Sequence, residues 1–366
     1  MNATTIESVG VTDEGHEQVI FCRDAESGLQ AIIALYSTAL GPGLGGTRFH
    51  PYPSEAAAIK DVLDLSKAMA YKAALAGLDL GGGSAVIVGD SREIKRDALL
   101  HAYGRFVQSL SGRYYTACDV GTTCTDMDVI ARETSFAAGR SPAYGGAGDS
   151  SVLAALGVFR GMQASARHIW GTESLEGKAV GISGVGKVGR QLVALLVQAG
   201  AEVSVTDPHL PAVRDLVAAH PTVHVVGAEE GLVACPLDVF APCALGGALT
   251  EKVVDSLNAR IVCGAANNQL VHRGIALRMK DRGITYAPDY CVNAGGLIQV
   301  SDELQGFSFK RAHERTNRIF DTTLDVLECA ARENVTTAFA ADRLAEQRMQ
   351  ERRVRGVWTT RTRTGF

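Results

Sequence analysis

Between Lys178 and Asp207 the chain sets out strand, glycine loop, helix, strand and acid in register, and that order commits the stretch to a dinucleotide-binding βαβ unit. Ala179-Val180-Gly181-Ile182-Ser183 is a short apolar run and reads as a buried parallel strand. It breaks into Gly184-Val185-Gly186-Lys187-Val188-Gly189, a G-x-G-x-x-G. The first glycine permits a tight turn, the second lets a pyrophosphate approach the backbone, and the third brings helix close to strand. A helix is expected from about Val188 to Gln198, with Val188, Leu192, Leu195 and Leu196 as its apolar stripe and Gly200 as its stop. Its N-terminus offers free N–H groups to phosphates. The next strand, Ala201 to Thr206, ends at Asp207, 18 residues past the last glycine, where a carboxylate can accept from ribose hydroxyls.

The length, 366 residues, suits two domains of ordinary size. A hydrophobic fraction of 46% and a mean hydropathy of +0.06 describe a soluble globular protein with ample core. A net charge of −4 with pI near 6.2 carries no polyanion-binding signal, so no nucleic acid partner is expected. Met1 to Gly15 is polar and acidic and does not read as a signal peptide, and no apolar run reaches membrane-spanning length. None of the eight cysteines forms a C-x-x-C, and Cys22, Cys118, Cys235, Cys263 and Cys329 lie among apolar neighbours. Buried, reduced thiols in a cytoplasmic protein are expected, with no metal site.

Before about residue 140 the expected elements are strands at Glu17–Cys22 and Leu29–Tyr36, then a long helix over Ser54–Ala76. Ser54 is its expected N-cap and Gly77 its stop. Gly81-Gly82-Gly83 reads as a turn before a strand at Ala85–Val88, followed by one helix near Ile94–Leu110 and a strand at Arg113–Cys118. Gly139 to Asp149 reads as a hinge or linker. A helix over Ser151–Trp170 leads into the βαβ unit, after which strands at Val223–Val226, Val239–Ala241, Ile261–Cys263 and Ile284–Tyr286 alternate with helices. That alternation argues for a doubly wound parallel sheet. From Ala312 to about Arg353 the chain reads as helical. The end after Glu351 carries five arginines and no acid, to which no chemistry is attached.

Ligands of open α/β sheets bind outside the carboxyl ends of strands. The segments from Pro242 through Cys243 and Ala244 to Gly247, from Gly264 through Ala265 to Asn268, and from Ala287 on to Gly296 are therefore candidates. Asn267 and Asn268 can serve ribose and substrate amine, or simply cap a turn. Lys72 is the one charged residue from Ala68 to Leu78; it either snorkels outward or meets an anion such as a substrate carboxylate. Asp119 leaves an apolar strand end and suits an acid/base group or an Asx turn, while Asp126 and Asp128 read as cap residues of the following helix.

Together these segments resemble the glutamate/leucine/phenylalanine/valine dehydrogenase family over nearly the whole chain, with valine and leucine dehydrogenases the nearest in pattern. Leu40-Gly41-Pro42-Gly43-Leu44-Gly45-Gly46-Thr47-Arg48 is similar to its substrate-carboxylate loop, Met69-Ala70-Tyr71-Lys72 to its lysine-bearing helix, and Cys118-Asp119-Val120-Gly121 to its catalytic-aspartate segment. Gly264 to Leu270 and Tyr286 to Tyr290 complete the set. The resemblance implies an α/β chain with an N-terminal mixed-sheet substrate domain, a doubly wound parallel Rossmann domain and an active-site cleft between them. The implied boundaries are 1–145 for substrate binding and oligomerisation, 150–310 for NAD binding, and 311–366 for C-terminal helices packing back toward the first domain and a basic tail. It implies NAD-dependent, reversible oxidative deamination of a branched-chain L-amino acid to its 2-oxo acid and ammonia by a homo-oligomer. Asp119, Lys72 and the residue at position 84 are the implied catalytic groups. Leu44, Gly45, Gly46, Met69, Lys72 and Asn268 would hold substrate; Gly184, Gly186, Lys187, Val188, Gly189, Asp207, Ser150, Cys243, Ala244, Ala265 and Asn267 would hold the cofactor.

One departure bears on the chemistry. The family has Gly-Gly-Gly-Lys where this chain has Gly81-Gly82-Gly83-Ser84. The lysine is the group that activates water and polarises the oxo-acid carbonyl, and serine has neither its charge nor a useful pKa. Three readings follow: a dehydrogenase weakened at Ser84, an oxidoreductase that stops at or starts from an imine, and a non-catalytic NAD-binding paralogue.

Overall fold

The computed structural model describes residues 15–354; the leader and arginine-rich-tail readings fall largely outside them. Two compact units emerge. The first takes the described residues up to Ala70 together with Asp79–Arg140, and the second takes Tyr71–Leu78 together with the chain from Ser141 onward.

The first unit holds β1 (Gln18–Asp24), β2 (Leu29–Ser37), β3 (Gly43–His50), most of α1 (Glu55–Leu75), β4 (Gly81–Val88), α2 (Ser91–Ile94), α3 (Asp97–Ser109), β5 (Tyr114–Cys118) and α4 (Cys124–Ile130). Its sheet runs β1-β2-β4-β3-β5 and is mixed: β1–β2 and β2–β4 are antiparallel, while β3 pairs in parallel with β4 and β5. Both faces are covered, and the two-residue period of a strand sorts the core. Ala31, Ile33 and Leu35 of β2 join Ala85 and Ile87 of β4 in one cluster with Leu99, Tyr103, Val107, Met127 and Ile130 of α3 and α4. Ile32 and Ala34 join Val86 in the other, with Ala58 and Val62 of α1. Each such fully buried aliphatic side chain contributes about 1.5–3 kcal/mol.

The glycine triplet is not a turn. Gly81, Gly82 and Gly83 lie inside β4, with Gly82 and Gly83 paired to β2 on one side and Gly81 and Gly82 paired to β3 on the other. A Cβ on Gly82 would stand 2.3 Å from the Ser66 carbonyl oxygen and 2.4 Å from Ala70 of α1, and one on Gly83 would stand 2.7 Å from the Tyr114 ring. The missing side chains let α1 settle on one face and Tyr114 on the other.

The expected helix over Ile94–Leu110 is also corrected to α2 and α3. The break at Lys95–Arg96 lets Lys95 reach Gly121 O and Asp126, and lets Arg96 reach Ser27 O. Asp126 does cap α4, in a reciprocal box with Thr123, but Asp128 does not. It sits within the helix, buried and ion-paired to Arg140.

The second unit carries α5 (Ser151–Trp170), β6 (Ala179–Ser183), α6 (Lys187–Gln198), β7 (Glu202–Thr206), α7 (Leu210–Ala219), β8 (His224–Val225), α8 (Glu229–Ala234), β9 (Val239–Pro242), α9 (Glu251–Ser256), β10 (Ile261–Val262), α10 (Gly274–Asp281), β11 (Thr285–Tyr286), α11 (Asp289–Val292), α12 (Gly295–Asp302), α13 (Phe309–Asn317), α14 (Ile319–Glu333) and α15 (Thr337–Val354). Its sheet is parallel in the order β11-β10-β9-β6-β7-β8, with the strand order reversing between β6 and β9. The α6 stripe differs from the expected one. Gly189, Leu192, Val193 and Leu196 are buried, while Val188 and Leu195 are half-buried. The C-terminal helical stretch divides into three, its second break made by Asn334 in the left-handed region at φ 55°. All eight cysteines are free, and Cys118 and Cys235 are half-buried rather than buried. Among the described residues no helix is long and apolar enough to cross a membrane.

Candidate active site

In the second unit the three loop glycines each show a distinct mechanical need. Gly184 has φ +103°, and a Cβ there would meet Ala244 at 2.8 Å. This brings the end of β6 against the loop that follows β9, at the point where the strand order reverses. A Cβ on Gly186 would find nothing within 4 Å, so the backbone there is open to an incoming group. A Cβ on Gly189 would stand 2.1 Å from Gly184 O, so α6 packs against the loop. Lys187 is exposed and Val188 half-buried beside it. Asp207 closes the arrangement. Its Oδ2 accepts from Val185 N at 2.8 Å and its Oδ1 from His209 N at 2.7 Å. A carboxylate has about four acceptor sites, so capacity for ribose hydroxyls remains. Open backbone, helix N-terminus and acid together fit a dinucleotide. Cys243, after β9, is half-buried, and desolvation pushes its thiol up to about 12, which keeps it neutral.

Lys72 belongs to this unit and does not simply snorkel. Its Nζ donates to Asn267 Oδ1 at 2.9 Å, and Asn293 Nδ2 donates to the same oxygen at 2.8 Å and to Ala265 O at 3.1 Å. The anion near it is Asp289. Burial pushes this carboxyl above the usual carboxylate range, against the Tyr286 hydroxyl and the Lys72 charge, which pull it down. Tyr286 donates to Asp289 Oδ1 at 2.7 Å, and Asn268 N donates to Oδ2 at 2.9 Å. Asn268 itself is held at φ 51°, where asparagine is better tolerated than most residues. Asn268 thus shapes a turn, and Asn267 accepts from the Lys72 ammonium. Ser150 stands at the N-cap of α5 without a side-chain cap bond, its hydroxyl 3.4 Å from where a Gly296 Cβ would lie.

In the first unit the expected carboxylate loop turns out to be strand β3. Leu44 is buried within it, and Gly45 and Gly46 pair with β5 while the ladder to β4 is interrupted between Leu44 and Thr47. Central-strand carbonyls need partners. Side chains supply them: Tyr114 donates to Gly45 O at 3.0 Å and Ser84 to Gly46 O at 2.9 Å. Ser84 is 1% exposed, so its hydroxyl is committed to holding the strand. Met69 of α1 approaches Gly45, its Cγ 3.2 Å from where a Cβ would be.

Asp119 follows β5 and stands over Gly46, where any side chain would come within 2.6 Å of its Cβ. Oδ1 accepts from Val120 N at 2.7 Å, while Oδ2 faces the Arg48 guanidinium at 3.5 Å. Thr122 ties the turn by donating to Thr47 O at 2.8 Å and accepting from Asp119 N at 2.9 Å. Asp119 is therefore a half-buried carboxylate beside a cation, not merely an Asx-turn residue. Sequence reasoning did not single out Arg48, Asp289 or Asn293. The available signal for Arg48 was a charged residue inside a strand of otherwise buried neighbours.

Comparison with known proteins adds the following. Residues 16–136 match the model of the Glu/Leu/Phe/Val dehydrogenase dimerisation domain, and residues 145–352 match that of the Glutamate/Leucine/Phenylalanine/Valine dehydrogenase domain. The chain is 57% identical to valine dehydrogenase of Streptomyces coelicolor over 93% of its length and 94% of the relative. It is 48% identical to leucine dehydrogenase of Bacillus cereus, covering 91% of both chains. The crystal structure of L-tryptophan dehydrogenase from Nostoc punctiforme is similar at a TM-score of 0.82 and 40% identity, over 93% of this chain and 97% of that one.

Proposed function

The chain belongs to the Glu/Leu/Phe/Val dehydrogenase family of amino-acid oxidoreductases, and from that premise we propose that it catalyses reversible, NAD-dependent oxidative deamination of a branched-chain L-amino acid to its 2-oxo acid and ammonia. The observation that carries this reading is the likeness to a valine dehydrogenase through both units. The bound nicotinamide supplies a hydride acceptor for the substrate Cα. Gly184, Gly186, Lys187, Val188 and Gly189 hold the pyrophosphate, Asp207 the adenosine ribose, and Ser150, Cys243, Ala244, Ala265 and Asn267 the nicotinamide end. Asp207 favours NAD over NADP, because a carboxylate repels a 2′-phosphate and Pro208-His209 brings no arginine beside it. Lys72 and the backbone of Gly45 and Gly46 bind the α-carboxylate, Leu44 and Met69 border the side chain, and Asn268 touches the substrate. Asp119 takes a proton from the amine and returns one as ammonia leaves. The dimerisation-type first domain supports a homo-oligomer.

Ser84 weakens the hydrolytic step, because a buried hydroxyl bonded to Gly46 O offers no base to water. The same observation favours a second reading in which the enzyme exchanges hydride with an imine and hydrolyses slowly. A screen of L-amino acids with NAD+ and NADP+ tests the proposal. L-valine or L-leucine should reduce NAD+ faster than NADP+. Reduction of neither cofactor by any amino acid would remove the dehydrogenase reading, and an imine product without oxo acid would select the second.

A further inference from the structure

A guanidinium stands behind the carboxylate assigned to proton exchange. Arg48 lies two residues beyond Gly46 on β3 and so on the same side of the strand. Asp119 occupies the space that a Gly46 side chain would fill, and its Oδ2 is 3.5 Å from Arg48 Nη2. Nη1 of the same guanidinium donates to both oxygens of Asp61 on α1, at 3.1 and 3.0 Å. The Tyr52 hydroxyl donates to Asp61 Oδ2 at 2.5 Å. Arg48 Nε is buried without a hydrogen-bond partner among the described residues. The guanidinium is thus held by Asp61 and Asp119 rather than by its own stem.

Charge makes the arrangement directional. Arg48, Tyr52, Tyr114 and Cys118 are each influenced by the Asp119 carboxylate. Burial raises both tyrosines above their ordinary value and pushes the Cys118 thiol up to about 12, which leaves all three neutral at working pH. Burial also works to lower the Arg48 guanidinium, but the Asp119 and Asp61 carboxylates outweigh it and keep it charged. Asp61 neutralises one side of that charge, and the other faces the Asp119 carboxylate. A planar fork can address two carboxylates at once; a lysine ammonium on a flexible stem cannot hold both in one geometry.

We propose that Arg48 is a positioning residue for the deamination, fixing the orientation of Asp119, with Asp61 and Tyr52 locking the guanidinium in place. The proposal rests on the reading of Asp119 as the acid/base group. The test uses the full chain with L-valine and NAD+, in the wild-type and Ser84→Lys backgrounds, comparing Arg48→Met, Arg48→Lys, Asp61→Asn and Asp119→Asn. Arg48→Met should lower kcat by about a hundredfold, the scale of a misplaced catalytic group, with KM for L-valine moving less than about twofold. Arg48→Lys should lose about tenfold in kcat with KM for L-valine nearly unmoved, and Asp61→Asn about fivefold, as the charge persists but its geometry loosens. NADH titration reports folding, and Arg48→Lys carries the test if Arg48→Met does not fold. Wild-type kcat in Arg48→Lys, or an Arg48→Met loss carried by KM rather than kcat, overturns the proposal. Wild-type turnover in Asp119→Asn overturns instead the reading of Asp119. No turnover in either background overturns both.

Discussion

Gly186 in the nucleotide loop and Gly82 in β4 put the same residue to opposite uses, although Gly184 and Gly189 beside Gly186 are packed closely. At Gly186 the missing side chain leaves space unfilled, with nothing within 4 Å of where a Cβ would lie. In β4 the space is taken by the protein itself, with α1 backbone 2.3–2.4 Å from where a Gly82 Cβ would lie. One segment is shaped for a ligand to approach, the other for a helix to settle on a sheet. The lesson is that a glycine cluster is informative through its spacing and flanks. Offsets of two and three residues between a strand and a helix specify a phosphate loop, whereas three consecutive glycines specify only that something comes close.

Three substitutions can break or sharpen this contrast. Gly82→Val has the largest expected effect: it forces α1 off the sheet and should lower stability by about 3 kcal/mol, the upper range for overpacking a core. Chemical denaturation checks it, and an unfolding midpoint within error of the wild type would show that α1 yields easily. Ser84→Lys comes next. It removes the hydroxyl from Gly46 O and returns an ionisable group to the position after the triplet, so deamination of L-valine should rise by roughly a hundredfold. The gain should vanish when Asp119→Asn is added; a flat rate would mean that Ser84 does not limit the chemistry. Gly186→Ala is the smallest: the open space should make it cost less than about 0.5 kcal/mol of stability. The added methyl should nevertheless weaken NADH binding by about tenfold, equivalent to about 1.4 kcal/mol. Fluorescence titration showing unchanged affinity would mean that the open backbone is not where the pyrophosphate lies.

The βαβ unit was legible because each of its parts answers a local mechanical need, and local needs leave spacing in the sequence. Gly184 needs its turn, Gly189 its close packing, and Asp207 a place at a strand end. What was illegible depended on partners distant along the chain. Asp128 looked like a cap because acids crowd helix starts, yet its partner is Arg140. The α2–α3 break follows from Lys95 and Arg96 reaching toward Gly121 and Ser27, contacts that no helical periodicity reveals. Lys72 was conspicuous as a lone charge, but its partner Asn267 and neighbour Asp289 lie far downstream. Ser84 could be noticed as a departure, while its bond to Gly46 O required knowing that the β3–β4 ladder is interrupted there.

The central claim is that hydride transfer from an L-amino acid is followed by hydrolysis that releases ammonia. Ammonium formed per NADH formed, measured with L-valine and NAD+ in the unaltered protein, addresses it most directly. The account predicts one ammonium and one molecule of branched 2-oxo acid for each NADH, at a rate that Ser84→Lys raises. NADH appearing without ammonium, or no NADH with L-valine or any other amino acid in either protein, would contradict it.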